Sequence, residues 1–275
     1  MDDQQFRQLL DHFGYSWEGY KRVRKGVKKR ISRHMHRLGC TTIEKYLHSL
    51  DRDEEVRKYC ECLMTVSVSR FFRDRFLWKV LEGQVVPSII EENRKKVRFW
   101  SAGCSCGEEV YSFKILWESL RGRLDPMPEL EIWATDMNPV YIKRAHDGIY
   151  PLSSLRELPK ELRELYFILD VDEGLYRIAL NLRKGILWKV HNLLFDLEEF
   201  NFQIIFLRNS ILTYYKDELK RSAFRKVMGC LAHGGVLVIG SHEKLPIESK
   251  DLMTFGGQPH IFKKIDDLQE LRHNY

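Results

Sequence analysis

The turn between Ala102 and Glu108 constrains this chain more than any other stretch. Val97 to Ala102 is a short, mostly apolar run with β-branched and aromatic members. From Glu108, apolar residues recur at helical spacing as Val110, Phe113, Leu116, Trp117 and Leu120. The pattern predicts a strand, a small-residue turn and a helix. Gly103 and Gly107 let the backbone bend tightly and approach a bound molecule, and the free N–H groups of the helix start together with Glu108 and Glu109 offer hydrogen bonds of both signs. Two acids at this place disfavour phosphate and suit a ligand carrying amines, hydroxyls or a positive centre. The alternative is a tight turn whose acids only complement the helix dipole.

A second observation favours the ligand. Leu130 to Asp136 reads as the next strand and ends in an acid about 30 residues beyond the glycine turn. In nucleotide-binding βαβ units an acid there accepts hydrogen bonds from ribose hydroxyls, so turn and acid together point to an adenosine-bearing ligand. Strands and helices alternate from residue 97, which implies a mainly parallel sheet. Phe202 to Leu207 is expected as a buried strand with Arg208 and Asn209 at its C-terminal end, where open α/β sheets bind ligands. Tyr141, Ala145 and Ile149 mark a helix, Leu219 to Leu231 another, His233-Gly234-Gly235 a turn, and Leu252 to Phe262 a terminal hairpin. Between about 151 and 190 the alternation lapses. Leu175 to Ala179 and Gly185 to Val190 read there as two short strands joined around Asn181 to Lys184, a β-hairpin lobe.

The chain before residue 70 is helical in pattern. Phe6, Leu9, Leu10 and Phe13 share one face before Gly14, and Tyr20, Val23, Val27, Ile31, Met35 and Leu38 form a second stripe up to Gly39. The polar face of that second helix carries nine Lys and Arg between positions 21 and 37 and no acid, so it favours an acidic partner over plain solvent. Thr41 with Glu44 is expected to cap a third helix. A polar loop then leads into Phe71-Phe72-Arg73, followed by a helix-like run from Phe76 to Leu81 and a break at Pro87.

The net charge of +6 over 275 residues does not by itself require nucleic acid. No stretch reaches the roughly 18 uncharged apolar residues of a membrane span, and the start lacks the basic and apolar regions of a signal peptide. A cytoplasmic protein, with no membrane insertion, is expected. The six cysteines form two C-x-C pairs and two single residues, without zinc-knuckle spacing, so no metal is expected.

Assembled, these motifs resemble the CheR family of chemotaxis receptor methyltransferases, enzymes that use S-adenosylmethionine to methylate protein glutamate. The family's W-S-A-G-C-S-T-G-E-E-P-Y-S is similar to Trp100 to Ser112, its A-T-D to Ala134-Thr135-Asp136, and its H-N-L-L to His191 to Leu194. Its C-R-N is similar to Leu207-Arg208-Asn209 and its G-G-x-L-x-x-G-x-x-E to Gly234 to Glu243. The resemblance implies an all-helical N-terminal domain over residues 1–70, with the basic helix docking a receptor. A Rossmann-like class I methyltransferase domain over 71–275 follows, with a small antiparallel β-subdomain inserted at about 151–190. It implies S-adenosylmethionine as cofactor, S-adenosylhomocysteine as product, and a monomer acting on the helical bundle of a chemoreceptor or another acidic protein.

The resemblance also implies the site residue by residue. Glu109 would hold the cofactor's amino-acid end, Asp136 its ribose, Asn192 and Leu193 its adenine, and Asn209 its methionyl part, with Ser67, Ser69, Arg73, Gly103 and Arg208 also binding the cofactor. Arg73 and Tyr214 would stand at the reacting centre. Two departures mark this chain. Thr65-Val66-Ser67-Val68-Ser69 replaces the family's T-T-N-x-T, keeping hydroxyls at Ser67 and Ser69 and losing an amide. Thr213 stands where the family's R-N-V-x-I-Y-F has tyrosine, leaving Tyr214 to substitute by a register shift. Asn138-Pro139-Val140-Tyr141 is similar to the N-P-P-Y of nucleic-acid methyltransferases, but in those enzymes it follows the fourth strand, a place held here by Arg208-Asn209-Ser210. A module that binds the cofactor or a receptor without turnover is the other alternative.

Overall fold

In the computed structural model, residues 1–197 and 199–265 are described. Five parallel strands form the centre: β1 (Lys96–Ala102), β2 (Glu129–Asp136), β6 (Ile186–Val190), β7 (Phe202–Leu207) and β8 (Leu231–Ile239). β10 (Ile261–Lys264) joins antiparallel to β8, and β9 (Leu252–Thr254) closes that edge, giving the order β6-β2-β1-β7-β8-β10-β9. The order reverses between β1 and β7, which opens a crevice at their C-terminal ends. This is a Rossmann-like sheet with an antiparallel edge. A second sheet of β3 (Ile149–Pro151), β5 (Leu175–Ile178) and β4 (Phe167–Asp170) is antiparallel.

The first five helices are α1 (Asp3–Phe13), α2 (Trp17–Tyr20), α3 (Arg24–Arg37), α4 (Ile43–Arg52) and α5 (Glu54–Met64). Their apolar stripes, including Phe6, Leu9, Ile31 and Tyr46, share one continuous core with a face of the central sheet formed by Trp100, Phe202, Ile205 and Leu237. Helix α13 (Asp217–Cys230) adds Phe224 and Val227 to that core. The opposite face, with Phe99, Ile132, Phe206 and Val238, packs on α8 (Glu108–Arg121), α6 (Arg75–Val80) and α7 (Val86–Glu92). Gly19 has a specific role at the first interface, because a Cβ there would stand 2.2 Å from the Thr213 carbonyl oxygen. Only glycine lets α2 meet the backbone of α12 (Ile211–Tyr214).

Several expectations are corrected. The 175–179 and 185–190 segments do not pair as a hairpin. Beyond α10 (Lys160–Tyr166), Leu180–Arg183 forms a helical turn, α11, with Leu182 buried, and it carries the chain away so that β6 becomes an edge of the central sheet. Helices α6 and α7 do not break at Pro87, since a π-turn at Leu81–Val85 widens the spiral and leaves Pro87 in the first turn of α7, where its missing N–H costs nothing. Thr42, not Thr41, has the extended backbone of a cap and accepts from Lys45 N–H. His233 to Gly235 is a bulge within β8 rather than a turn between elements. The second helical stripe is interrupted at Lys21–Val23, separating α2 from α3.

The basic face is also less uniform than its sequence. Arg24 and Lys28 both reach Asp3 of α1, at 3.4 and 2.7 Å. Arg30 donates to the carbonyls of Leu63 and Thr65, serving the C-terminal end of α5. Arg22, Lys25, Lys29 and Arg33 remain exposed.

Candidate active site

A cleft opens over the C-terminal ends of β1, β2 and β7, where the turn, Asp136 and Arg208 come together. Gly103, Ser105 and Glu109 line it from the first turn, His191 to Leu193 from the segment after β6, and Asn209 to Ile211 from the segment after β7. The extended strap Thr65 to Arg70 crosses it, and Tyr15 and Tyr20 reach it from the helical layer. Of the residues expected here, Ser69, Arg73, Gly103, Glu109, Asp136, Asn192, Leu193, Arg208, Asn209 and Tyr214 all line the cleft. Ser67 does not. Its Oγ lies 2.6 Å from Ser105 Oγ, on the far side of the strap, where it fastens the strap to the glycine turn.

The backbone is locally strained in a way that serves this geometry. Phe72, Asp74, Ser105 and Asn209 all have φ between 51° and 66° without being glycine, and all lie in or beside the cleft. Gly103 and Gly107, at φ 89° and 87°, take the left-handed corners of the turn, and a Cβ on Gly103 would come within 2.8 Å of Ser210 Cβ. The turn is held to β2 by the N–H groups of Gly103 and Cys104, both donating to the Thr135 carbonyl at 2.8 Å.

Charges are paired across the cleft rather than scattered. Glu109 accepts from Ser101 Oγ at 2.9 Å and from Arg208 Nη1 at 2.8 Å, while Arg208 Nη2 donates to Asp74 at 2.6 Å. Arg208 is buried and its Nε has no partner among the described residues. Asp136 accepts backbone N–H bonds from Ser105 and Asn138, both 2.9 Å, yet burial pushes its carboxyl up to about 6. Burial also lowers the His191 pKa, assisted by Lys189, and raises that of Tyr214 against the opposing charge of Arg73. Arg73 itself donates Nη1 to the Val68 carbonyl at 2.8 Å, tying the strap to its own loop.

Two groups were not singled out from sequence. Glu243 is buried behind the cleft and accepts from Thr213 Oγ1 at 2.6 Å, Asn209 N–H at 2.9 Å and Gly240 N–H at 2.8 Å. It fixes the segment from Asn209 to Tyr214, and turns Thr213 inward while Tyr214 faces the cleft. Burial raises its pKa, opposed by those three donors. Its position at the end of the Gly234 to Glu243 motif was the available signal. Tyr15, Tyr20 and Tyr215 carried no such signal, because sequence-distant elements bring them together; the Tyr20 and Tyr214 rings are 5.0 Å apart.

The donor set fits an S-adenosyl nucleoside. Glu109 suits an ammonium group, and each Asp136 oxygen, having one backbone donor, keeps a lone pair for a ribose hydroxyl. Asn138 does not present a base-gripping amide. Its Oδ1 caps α9 (Pro139–Asp147), and its Nδ2 donates to Thr65 Oγ1 and the Cys62 carbonyl. Among the described residues, no three His, Cys, Asp or Glu side chains gather as metal ligands, and no helix is long and apolar enough to cross a membrane.

Comparison with known proteins agrees with this geometry. Residues 67–261 match the family described as CheR methyltransferase, SAM binding domain. The chain is 37% identical over 219 residues to a chemotaxis protein methyltransferase of Listeria innocua, covering 80% of this chain and 81% of that one. A Listeria monocytogenes protein of the same description is 36% identical with the same coverage. One from Vibrio anguillarum is 28% identical over 224 residues, 80% of each chain.

Proposed function

This chain belongs to the CheR methyltransferase family and is an S-adenosylmethionine-dependent methyltransferase; we propose that it esterifies glutamate side chains of a chemoreceptor-like protein in the cytoplasm. The observation that carries this reading is a single cleft that combines cofactor-type acids, Glu109 and Asp136, with a guanidinium and a phenol, Arg73 and Tyr214.

The cofactor, when bound, supplies a methyl group on a sulfonium. The protein's part is binding and alignment. Glu109 and Arg208 form a fixed pair against which the amino-acid end is oriented, and Asp136 with the Asn192–Leu193 segment orients the nucleoside. A glutamate carboxylate is a nucleophile at neutral pH, so no general base is needed, and the acceleration comes from holding oxygen, carbon and sulfur in line. Arg73 keeps Nε and Nη2 for a charge-assisted bond to the acceptor carboxylate while Nη1 stays on Val68. Tyr214, displaced one residue from the family's tyrosine, lines the cleft from the segment after β7. Residues 1–70 are proposed as the receptor-docking part, through Arg22, Lys25, Lys29 and Arg33, and residues 71–275 as the catalytic part.

Incubating the protein with methyl-labelled S-adenosylmethionine and membranes of its host should label a chemoreceptor-sized band. Label in nucleic acid, or in no protein, would reject the proposal.

A further inference from the structure

We propose that a second groove beside the cofactor cleft, lined by arginine, holds another acidic side chain of the same substrate helix whose glutamate is methylated. The proposal rests on the glutamate-methylation reading above. The groove is open to solvent, with a volume of about 680 Å³, and Val66, Val68, Ser69, Arg70 and Tyr141 line both it and the cleft. A helix that feeds a side chain into the cleft passes the strap that also walls the groove.

Its charge comes from four separate elements: Arg30 of α3, Arg70 of the strap, Arg144 of α9, and Arg156, which follows the 3-10 turn Leu152–Leu155. Arg30 is immobilised by the Leu63 and Thr65 carbonyls, which leave its charge uncancelled. Arg70 meets Glu157 at 3.3 Å, whereas Arg144 and Arg156 make no ion pair among the described residues. The one acid on the groove lining, Glu108, is buried with one carboxylate oxygen unpartnered, and burial raises its pKa, so it is a weak counter-charge. Ser153 adds a hydroxyl donor of the kind a carboxylate accepts, whereas the Ser69 and Ser154 hydroxyls serve Glu108.

The spacing suits a helix. The strap between the two spaces is a single extended segment, so their centres are separated by on the order of one strand width plus side chains, roughly 5–10 Å. On a helix, residues three, four or seven positions apart lie on one face and are separated by about 5–10 Å along the axis. One carboxylate beside Arg73 thus places a second, one or two turns away, against Arg144 and Arg156. Such a groove selects which glutamate on a helix is methylated, by requiring an acidic neighbour.

The test begins with mapping, by mass spectrometry, the glutamates that the wild-type protein methylates in host chemoreceptors. Acids within two helical turns of a mapped site are then changed to Gln, and kcat/KM is measured on parent and altered receptor for the wild type and for Arg144→Gln/Arg156→Gln. Two partly solvated ion pairs predict a loss of about tenfold for the double variant on the parent receptor, falling to about twofold or less on the altered receptor. Affinity for S-adenosylhomocysteine should be unchanged, which also reports that the variant is folded. Equal losses on both receptors, no loss on either, or mapped sites without a neighbouring acid would each overturn the groove. Absence of alkali-labile methyl label in every receptor would instead overturn the glutamate reading beneath it.

Discussion

Replacing Asp136 tests the cofactor site at the acid proposed to hold the ribose. Its two oxygens each accept one backbone N–H at 2.9 Å, so the side chain is already oriented before any ligand arrives. Hydrogen bonds to a charged group are worth roughly 1.5–3 kcal/mol each. Asp136→Ala should therefore weaken S-adenosylhomocysteine by at least about tenfold, read by titration calorimetry. The pH dependence gives a sharper form of the prediction. Burial holds the Asp136 carboxyl near 6, above its usual value of 3.8. The ionised form is the one that accepts both ribose hydroxyls, so affinity should be full above about pH 6 and fall as pH drops through it. A single such titration makes binding roughly tenfold weaker at pH 5 than at pH 7. Asp136→Asn should bind more weakly at pH 7 and lose most of this slope. His191 also lines the cleft, but its pKa is lowered by burial, which moves its protonation toward more acidic pH. Unchanged affinity in Asp136→Ala, or an identical slope in Asp136→Asn, would refute the assignment.

Arg73→Ala should reduce methylation rate far more than cofactor affinity, and a matched loss of both would mean that the arginine serves the cofactor or the strap instead. Thr213→Val strands the buried Glu243 carboxylate by removing a 2.6 Å donor, and should cost about 1–3 kcal/mol in thermal unfolding and lower turnover, while Thr213→Ser restores both. If Ser and Val behave alike, the hydroxyl is not what orients Tyr214. Reversing Lys25, Lys29 and Arg33 to Glu should lower kcat/KM for a receptor, most at low salt because exposed charges act over about 10 Å at 0.1 M, and should leave cofactor affinity alone. Normal kinetics at low salt would exclude docking through α3.

The central strands and the glycine turn were legible because each is short, apolar and bounded by its own punctuation, and Asp136 was legible from its distance to that turn. What failed was local pattern without long-range information. Two strands flanking Asn181 to Lys184 resemble a hairpin to any reader of periodicity, yet Leu182 is fully buried and draws the intervening residues into a helical turn. Pro87 resembles a stop signal unless the preceding π-turn is foreseen. The charge pattern of α3 was legible only in part, because Asp3, remote in sequence, pairs with Arg24 and Lys28, and the end of α5 fixes Arg30 in place. At the site, most of the expected motif residues line the cleft, Ser67 does not, and residues contributed by packing carried no signal: Tyr15 and Tyr20 enter the cleft only because Gly19 allows α2 to touch the Thr213 backbone.

The product's chemistry tests the central claim most directly. Protein labelled from methyl-tritiated S-adenosylmethionine should be treated with mild alkali and the vapour counted. Glutamate methyl esters hydrolyse to methanol, so the account predicts that most of the label becomes volatile, and that it is lost from reactions with Arg73→Ala. Label that stays with the protein through alkali would show methylation on nitrogen or another stable position, and would contradict it.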